Sequence, residues 1–551
     1  MRPWDVIAFS LKAAGIHQVF GLPNDNLLSI NALVNAGIVW HLAQNQTNAM
    51  HMSAASSLAT GQSSVAIVGK GPALAYSIAG INEAHSLSAA VLVIATGTDR
   101  EKKGNTSFQE LAQMELVSKI TKWSHRIEKG SSTFCIIKKA LMLLSNGCPG
   151  VVYLEIPEDV EYEEVDLAFA ALESNTYHHI ATRPAPNKLS IDFAHNAITK
   201  SNRPVLILGG GSKWAVNKKI YENVASKYGM AVFVTASGRG AMNEECENFC
   251  GLYGLYTGKI FLEILKGADI FLVLGSRFEE TAREAYGLES KESRWIQVDI
   301  QPENFSPNIS AMLIHADAEE FCQSLLAVEN NTKSASSKLS WLTDVKKAKN
   351  LANKGVDELP PNVCIRVLRA LNRHSSDGAI FIHENGLADM WSYCYPIFSL
   401  KQGQNSVAPS EQTTLGFGAA GAIGVAKTGK YQQVIALVGD GAMKSLGYDL
   451  ETGVSIQCAL IYVVFNNRSL GWLHYEELKQ EKKGGGHFEP SGDIYFLMNN
   501  LKKYDLRDGD DIEERIFEIL KYNYQGVTIV NVDVAGFDMA PSVENFLLSK
   551  E

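Results

Sequence analysis

Residues 434–470 read VIALVGDGAMKSLGYDLETGVSIQCALIYVVFNNRSL. An apolar run, VIALV, ends in Gly439-Asp440-Gly441, and a second, ALIYVVF, ends in Asn466-Asn467. Runs this short and this apolar predict strands buried on both faces of a parallel sheet. A Gly-Asp-Gly turn at a strand end lets backbone N–H groups approach a diphosphate and offers a carboxylate to a hard cation. The second strand delivers an amide oxygen to the same sheet edge, where open α/β folds bind their ligands. One Asp, one Asn and backbone carbonyls, completed by phosphate oxygens, suit Mg²⁺. Gly-Asp-Gly alone is a common turn, and its meaning comes from the Asn-Asn at the end of the next strand.

Outward from this stretch, short apolar runs alternate with helix-length segments along nearly the whole chain. VAIV (65–68), AAVLVIATG (89–97) and VVYLEIP (151–157) form a first block. PVLILGGG (204–211), AVFVTASG (231–238), IFLVLGSRF (270–278) and WIQVDI (295–300) form a second. The third contains the opening stretch and ends near VTIVNVDV (527–534). The alternation predicts an α/β protein of three doubly wound parallel-sheet domains, at about residues 1–165, 185–335 and 358–551. A polar, acidic connector around 158–190 and one rich in Asn, Lys and Ser around 329–360 separate the blocks.

At 551 residues the chain exceeds one ordinary core, and about two to four domains are expected. A chain with 46% hydrophobic and 20% charged residues has the composition of a soluble globular protein. The net charge of −10 argues against a nucleic-acid surface, which needs clustered Lys and Arg. Eight cysteines in so long a chain make no disulfide framework, and Cys246 with Cys250 lacks a second pair at zinc-ligand spacing. Free thiols in a reducing compartment are expected. The N-terminal stretch is amphipathic and carries Asp5, unlike a secretory signal. No apolar stretch reaches the roughly 20 residues that span a bilayer. The expectation is a cytoplasmic protein with neither a membrane nor a nucleic-acid partner.

The paired Gly-Asp-Gly and Asn-Asn motif resembles the signature of thiamine diphosphate enzymes. Three blocks in this order resemble the superfamily of acetolactate synthase, pyruvate oxidase and pyruvate decarboxylase, over nearly the whole chain. GIHQVFGLPNDNLL (15–28), GKGPALAYSIAGINEAH (69–85), SFQE (107–110), GSRFEE (275–280) and TTLGFGAAGAIGVA (413–426) support it in sequence order. The resemblance implies an N-terminal domain for the cofactor pyrimidine, a middle domain that is structural or binds FAD, and a C-terminal domain for the diphosphate. It makes Asp440 and Asn467 Mg²⁺ ligands, with the Ser469 carbonyl a third. Gly439, Gly441 and Ala442 then lie against the diphosphate, at a helix start that favours anions. Leu415 becomes the apolar wedge that bends the cofactor, and the Thr413 carbonyl the acceptor for its amino group. Glu384-Asn385-Gly386 ends FIHENG on the diphosphate side and is expected to contact phosphate or substrate. Phe108 and Gln109 resemble substrate-contacting residues, and His51 and His85 fall where relatives carry histidines near cofactor or substrate.

One position departs from the pattern. Family members carry a His-Glu pair whose glutamate hydrogen-bonds the pyrimidine N1′. The matching segment here is HLAQNQTNAMHMSAASSLATG (41–61), where the pair reads Asn45-Gln46. No acidic residue lies between Asp25 and Glu83, so the glutamate is missing rather than shifted. Gln46 can bond N1′ but cannot exchange a proton with it.

The resemblance implies a thiamine diphosphate- and Mg²⁺-dependent enzyme that cleaves or forms a carbon–carbon bond beside a carbonyl, acting on a 2-oxo acid. It also implies a homodimer or homotetramer with active sites between subunits. The segment after Asn467 lacks the Gln-Trp-Gln of true acetolactate synthases, which points to a specialised pathway. FAD is not favoured, because the flavin-associated segment reads GLYGLYTG (251–258), with Tyr256 in place of histidine. The altered Gln46 keeps open a second reading, a catalytically impaired thiamine diphosphate-binding or regulatory protein. A nucleotide-dependent oxidoreductase would need a dinucleotide fingerprint after an early strand, and none is present.

Overall fold

The computed structural model describes residues 1–24, 26–166, 182–283, 293–307, 309, 311–329, 336–359, 362–409, 411–453, 455–480, 501–522 and 524–534. Residues 167–181 of the first expected connector lie outside these.

Three parallel six-stranded sheets follow one another along the chain. The first contains β1 (Gln18–Gly21), β2 (Val39–Leu42), β3 (Ser64–Val68), β4 (Val91–Gly97), β5 (Trp123–Arg126) and β6 (Val152–Pro157), in the order β2-β1-β3-β4-β6-β5. The middle one contains β7 (Pro204–Leu208), β8 (Ala231–Val234), β9 (Phe249–Leu252), β10 (Ile270–Leu274), β11 (Arg294–Asp299) and β12 (Ala311–His315). Its order is β12-β11-β10-β7-β8-β9. The last contains β13 (Ile380–His383), β14 (Asn405–Val407), β15 (Gln433–Gly439), β16 (Ala459–Asn466), β17 (Lys502–Leu506) and β18 (Gly526–Asp533), ordered β14-β13-β15-β16-β18-β17. The first and third sheets therefore share one strand order. Helices cover both faces, which is why the central strands are apolar on both sides and read as continuous hydrophobic runs.

The first and third domains share a core through two helices, Gln46–Thr60 and Phe417–Lys427. Glycines set their spacing. A Cβ on Gly421 would lie 2.7 Å from the Ala55 Cβ, and one on Gly424 would strike the Met52 backbone. The second expected connector is largely the helix Ser336–Asp357. Its Trp341, Val345, Ala348 and Ala352 bury one face against the middle domain, a helical period that the abundant lysines of the segment obscure.

All eight cysteines are free. Among the described residues no helix is long and apolar enough to cross a membrane.

Candidate active site

Strand order reverses between β13 and β15, and the crevice beyond the carboxyl ends of such strands is where open α/β sheets bind ligands. Asn385 and Gly386 follow β13 on one side of it, and Gly439-Asp440-Gly441 follows β15 on the other. Parallel pairing of Gly439 with Phe465 carries the end of β16, and with it Asn467 and Ser469, alongside Asp440.

Asp440 starts the helix Asp440–Leu446, in which Gly441 and Ala442 form the first turn. Its side chain is buried, and Oδ1 has no hydrogen-bond partner among the described residues. Burial pushes the carboxyl up to about 6, with Lys444 pulling the other way. Such an oxygen is costly unless a proton or a cation joins it. The buried Ser469 Oγ is likewise without a partner. Asn467 Oδ1 accepts the Ser469 N–H at 3.2 Å. A Cβ added to Gly386 or Gly439 would meet nothing within 4 Å, so the backbone on both flanks faces open space. Among the described residues no group of three or more His, Cys, Asp and Glu is placed to hold a metal. The donors at this edge are one carboxylate, the Asn467 amide and the Ser469 carbonyl, all oxygen and so suited to a hard cation.

The turn entering the helix Phe417–Lys427 lies across the crevice. Thr413 has φ +42° and Gly416 φ +91°, and a Cβ on Gly416 would press on the Ser445 hydroxyl. The Thr413 carbonyl accepts the Asn385 side-chain amide at 3.0 Å and keeps a second lone pair. Leu415 remains 46% exposed. Two carboxylates hold this turn. Glu83, from the helix Pro72–Ser86, accepts the Thr414 N–H at 2.8 Å. Glu384, fully buried, accepts those of Gly416, Gly418 and Ala419 at 3.0, 2.8 and 3.1 Å. Glu384, expected on the diphosphate side, thus caps the start of this helix with its carboxylate. Burial pushes it up to about 7 against the pull of those N–H groups.

Gln46 opens the helix Gln46–Thr60, whose cap is Asn45, accepting the Asn48 N–H at 3.1 Å. Its side chain is half-buried and has no partner among the described residues. The start of this helix is tied to Asp449, which takes the Gln44 N–H and the Asn48 side-chain amide, each at 2.6 Å. His51, one turn further on, is fully buried against Phe417 at 5.6 Å, and burial lowers it to about 4. It is a neutral core residue.

The remaining expected residues lie elsewhere. Phe108 is 74% exposed on the carboxyl edge of the first sheet, its ring 5.9 Å from Lys70 Nζ. Gln109 has φ +55°, and its carbonyl abuts Gly71. His85 faces the middle domain, where burial and then Arg277 lower its pKa. Next to it a cleft of about 290 Å³ crosses the carboxyl edge of the middle sheet, from Asp299 and Asp317 past Gly210 and Gly275 to Asn385 and Thr413.

Sequence reasoning missed Glu83 and Asp449 as structural anchors. Their partners lie hundreds of residues away, and no local pattern marks them.

Three family models match the chain in the order of its sheets. "Thiamine pyrophosphate enzyme, N-terminal TPP binding domain" matches residues 1–116, the central-domain model 191–325, and the C-terminal TPP binding domain model 384–532. The chain belongs to the thiamine pyrophosphate enzyme family. It is similar to a probable acetolactate synthase large subunit of Methanocaldococcus jannaschii, 25% identical over 97% of this chain and 92% of that protein. The acetolactate synthase large subunit of Lactococcus lactis is 25% identical over 89% of this chain and 85% of its own length. That of Porphyra purpurea is 24% identical over 93% and 89%. The third match begins just after β13 and takes in β15, Asp440, Asn467 and Ser469. The orphaned Asp440 oxygen fits a cation, and the open space beside Gly386 and Gly439 leaves room for the diphosphate that such a cation would carry.

Proposed function

We propose that the protein is a thiamine diphosphate- and Mg²⁺-dependent enzyme that breaks or makes a carbon–carbon bond next to a carbonyl, taking a 2-oxo acid as donor. The observation that carries this reading is the buried, unpartnered Asp440 oxygen beside Asn467 and Ser469. Thiamine diphosphate, when bound, supplies a thiazolium carbon that adds to the carbonyl and takes up the electrons of the broken bond. Asp440, the Asn467 amide oxygen and the Ser469 carbonyl would hold Mg²⁺ against the diphosphate. Leu415 would hold the cofactor's rings with its exposed apolar side chain, and the Thr413 carbonyl would accept from the cofactor's amino group. Phe108, Gln109 and His85 are assigned to the substrate side.

Gln46 serves as the N1′ partner, holding that atom without trading a proton. Loss of a positioned acid–base group costs about 10²–10⁴ in rate, so turnover is slow unless the later steps are adapted to an amide. Within one chain the Gln46 helix is anchored at Asp449, beyond the far end of the helix that Asp440 begins, about 10 Å away. This favours a homo-oligomer in which Gln46 of one subunit serves the Asp440 crevice of another.

Flavin is not assigned. The middle-domain cleft is lined by two arginines against four carboxylates, Glu279, Asp299, Asp317 and Glu411. Arg183 is already paired with Glu319 at 2.7 Å and Arg277 with Glu411 at 3.2 Å. Among the described residues a dinucleotide's pyrophosphate finds no unpaired arginine or lysine there.

The substitution at Gln46 favours one alternative, a cofactor-binding protein that no longer turns over. Calorimetry of thiamine diphosphate binding, with NMR of C2 proton exchange in the bound cofactor, separates the two. Tight, Mg²⁺-dependent binding with accelerated exchange is expected. Binding with exchange no faster than in free cofactor would establish the alternative. In Gln46→Glu, a drop in native activity marks the glutamine as an adaptation.

A further inference from the structure

A second cavity, of about 410 Å³, lies where the three domains meet. The end of the helix Gln46–Thr60 contributes Leu58 to Gly61, the middle domain contributes residues 213–216 and Lys218, and the third domain contributes Asn405, Val407, Ala408 and Lys430. Among the described residues its charged lining is Arg183, Lys213, Lys218 and Lys430, with no aspartate or glutamate. That composition is opposite to the acidic cleft next door.

Among the described residues the hydrogen bonds of the three lysines go to main-chain carbonyls, and Lys430 Nζ also lies 5.5 Å from the Tyr431 ring centroid. Lys213 donates to Ser406 O, Lys218 to Gly240 O at 2.7 Å, and Lys430 to Ala59 O and Thr60 O, each at 3.2 Å. A carbonyl satisfies a donor but does not neutralise a charge, and grouped cations without a counter-charge are unfavourable. Burial lowers Lys213 to about 7 and Lys218 to about 8, and each feels a neighbouring lysine. Arg183 is neutralised on its other side by Glu319. Lys218 also caps the helix Lys219–Tyr228, whose first N–H groups add positive potential. An anion is the missing partner, and the cavity has the size of a small-molecule site.

We propose that this three-domain cavity is a binding site for a small phosphorylated ligand, its phosphoryl group held by Lys213, Lys218 and Lys430. A ligand here contacts all three domains and the tail of the helix that Gln46 begins, so it braces that helix against the third domain. The site is separate from the Asp440 crevice and does not depend on the reading of that crevice.

The test uses full-length protein saturated with thiamine diphosphate and Mg²⁺, so that the Asp440 crevice is filled. Inorganic pyrophosphate is titrated in calorimetrically in two buffers of different ionisation enthalpy. The expected result is one further site per chain, with proton uptake near neutral pH as Lys213 becomes fully charged. Affinity should fall at least tenfold in Lys218→Met and in Lys430→Met, and persist in Lys430→Arg. Lys218 and Lys430 line only this cavity, so their variants separate it from the neighbouring cleft. Thermal unfolding checks that each variant is folded. Absence of a further site in the wild type, unchanged affinity in both methionine variants, or equal binding of succinate would overturn the assignment.

Discussion

Asp449 binds the side-chain amide of Asn48 at 2.6 Å across the junction of the first and third domains, and the same carboxylate takes the Gln44 N–H at 2.6 Å. Two hydrogen bonds to one carboxylate thus fix the helix start that carries Gln46. Asp449→Ala leaves the buried Asn48 amide with only the long 3.4 Å bond to the Leu446 carbonyl, and a loss of about 1–3 kcal/mol is expected. Urea unfolding measures it. An unchanged midpoint would mean that the glycine-lined helix contact alone positions Gln46.

Asp440 carries a pH signature. Its carboxyl is raised to about 6, so as pH falls through 6 a proton competes with the cation for the same oxygen. Mg²⁺-dependent cofactor affinity should therefore weaken by up to about tenfold per pH unit below that point. For folding without a cation the sign is opposite: a carboxyl raised above its unfolded value of about 3.9 costs stability as pH rises from about 4 to 6. Asp440→Asn should remove both dependences and weaken Mg²⁺-dependent binding by about 100-fold or more. Calorimetry across pH 5 to 8 checks it, and a flat wild-type profile would count against Asp440 as ligand.

Glu384 caps the turn beneath Leu415 with both carboxylate oxygens. In Glu384→Gln one oxygen becomes an NH₂ group that faces backbone donors, and about 1–3 kcal/mol should be lost. The Leu415 turn should loosen with it, seen as faster amide exchange at Gly416 and Gly418. Wild-type exchange in a stable variant would argue against the cap.

The contact of Gly421 with Ala55 predicts a size-dependent defect. Gly421→Ala overfills the contact, at a cost of about 1–3 kcal/mol. Ala55→Gly in the same chain should recover part of it, with a coupling of about 0.5–3 kcal/mol. Additive effects in the double-variant cycle would show that the helices are not held by this approach.

Central strands were legible because burial on both faces leaves them uniformly apolar, as in VIALV and ALIYVVF. The edge strands were not. β2 (VWHL), β12 (AMLIH) and β17 (KKYDL) are partly solvated and carry histidine, lysine or aspartate, which breaks the hydrophobic run. The Asp440 and Asn467 pairing was readable since each sits at the end of its own strand in one short stretch. Glu83 on Thr414 and Asp449 on Asn48 join residues 331 and 401 positions apart. Only the packed domains bring them together. The capping role of Glu384 was not legible, because a place at the end of a strand on the binding edge does not say which way a side chain turns.

The approach of the helices Gln46–Thr60 and Phe417–Lys427 leaves no side chain between their backbones at Gly424 and Met52. Distances set this way rest on main chain against main chain, and any side chain added at Gly424 meets the Met52 backbone. The gap between the first and third sheets is thus a fixed gauge. Sequence drift around it can alter chemistry, as at Gln46, without changing the geometry in which that chemistry takes place.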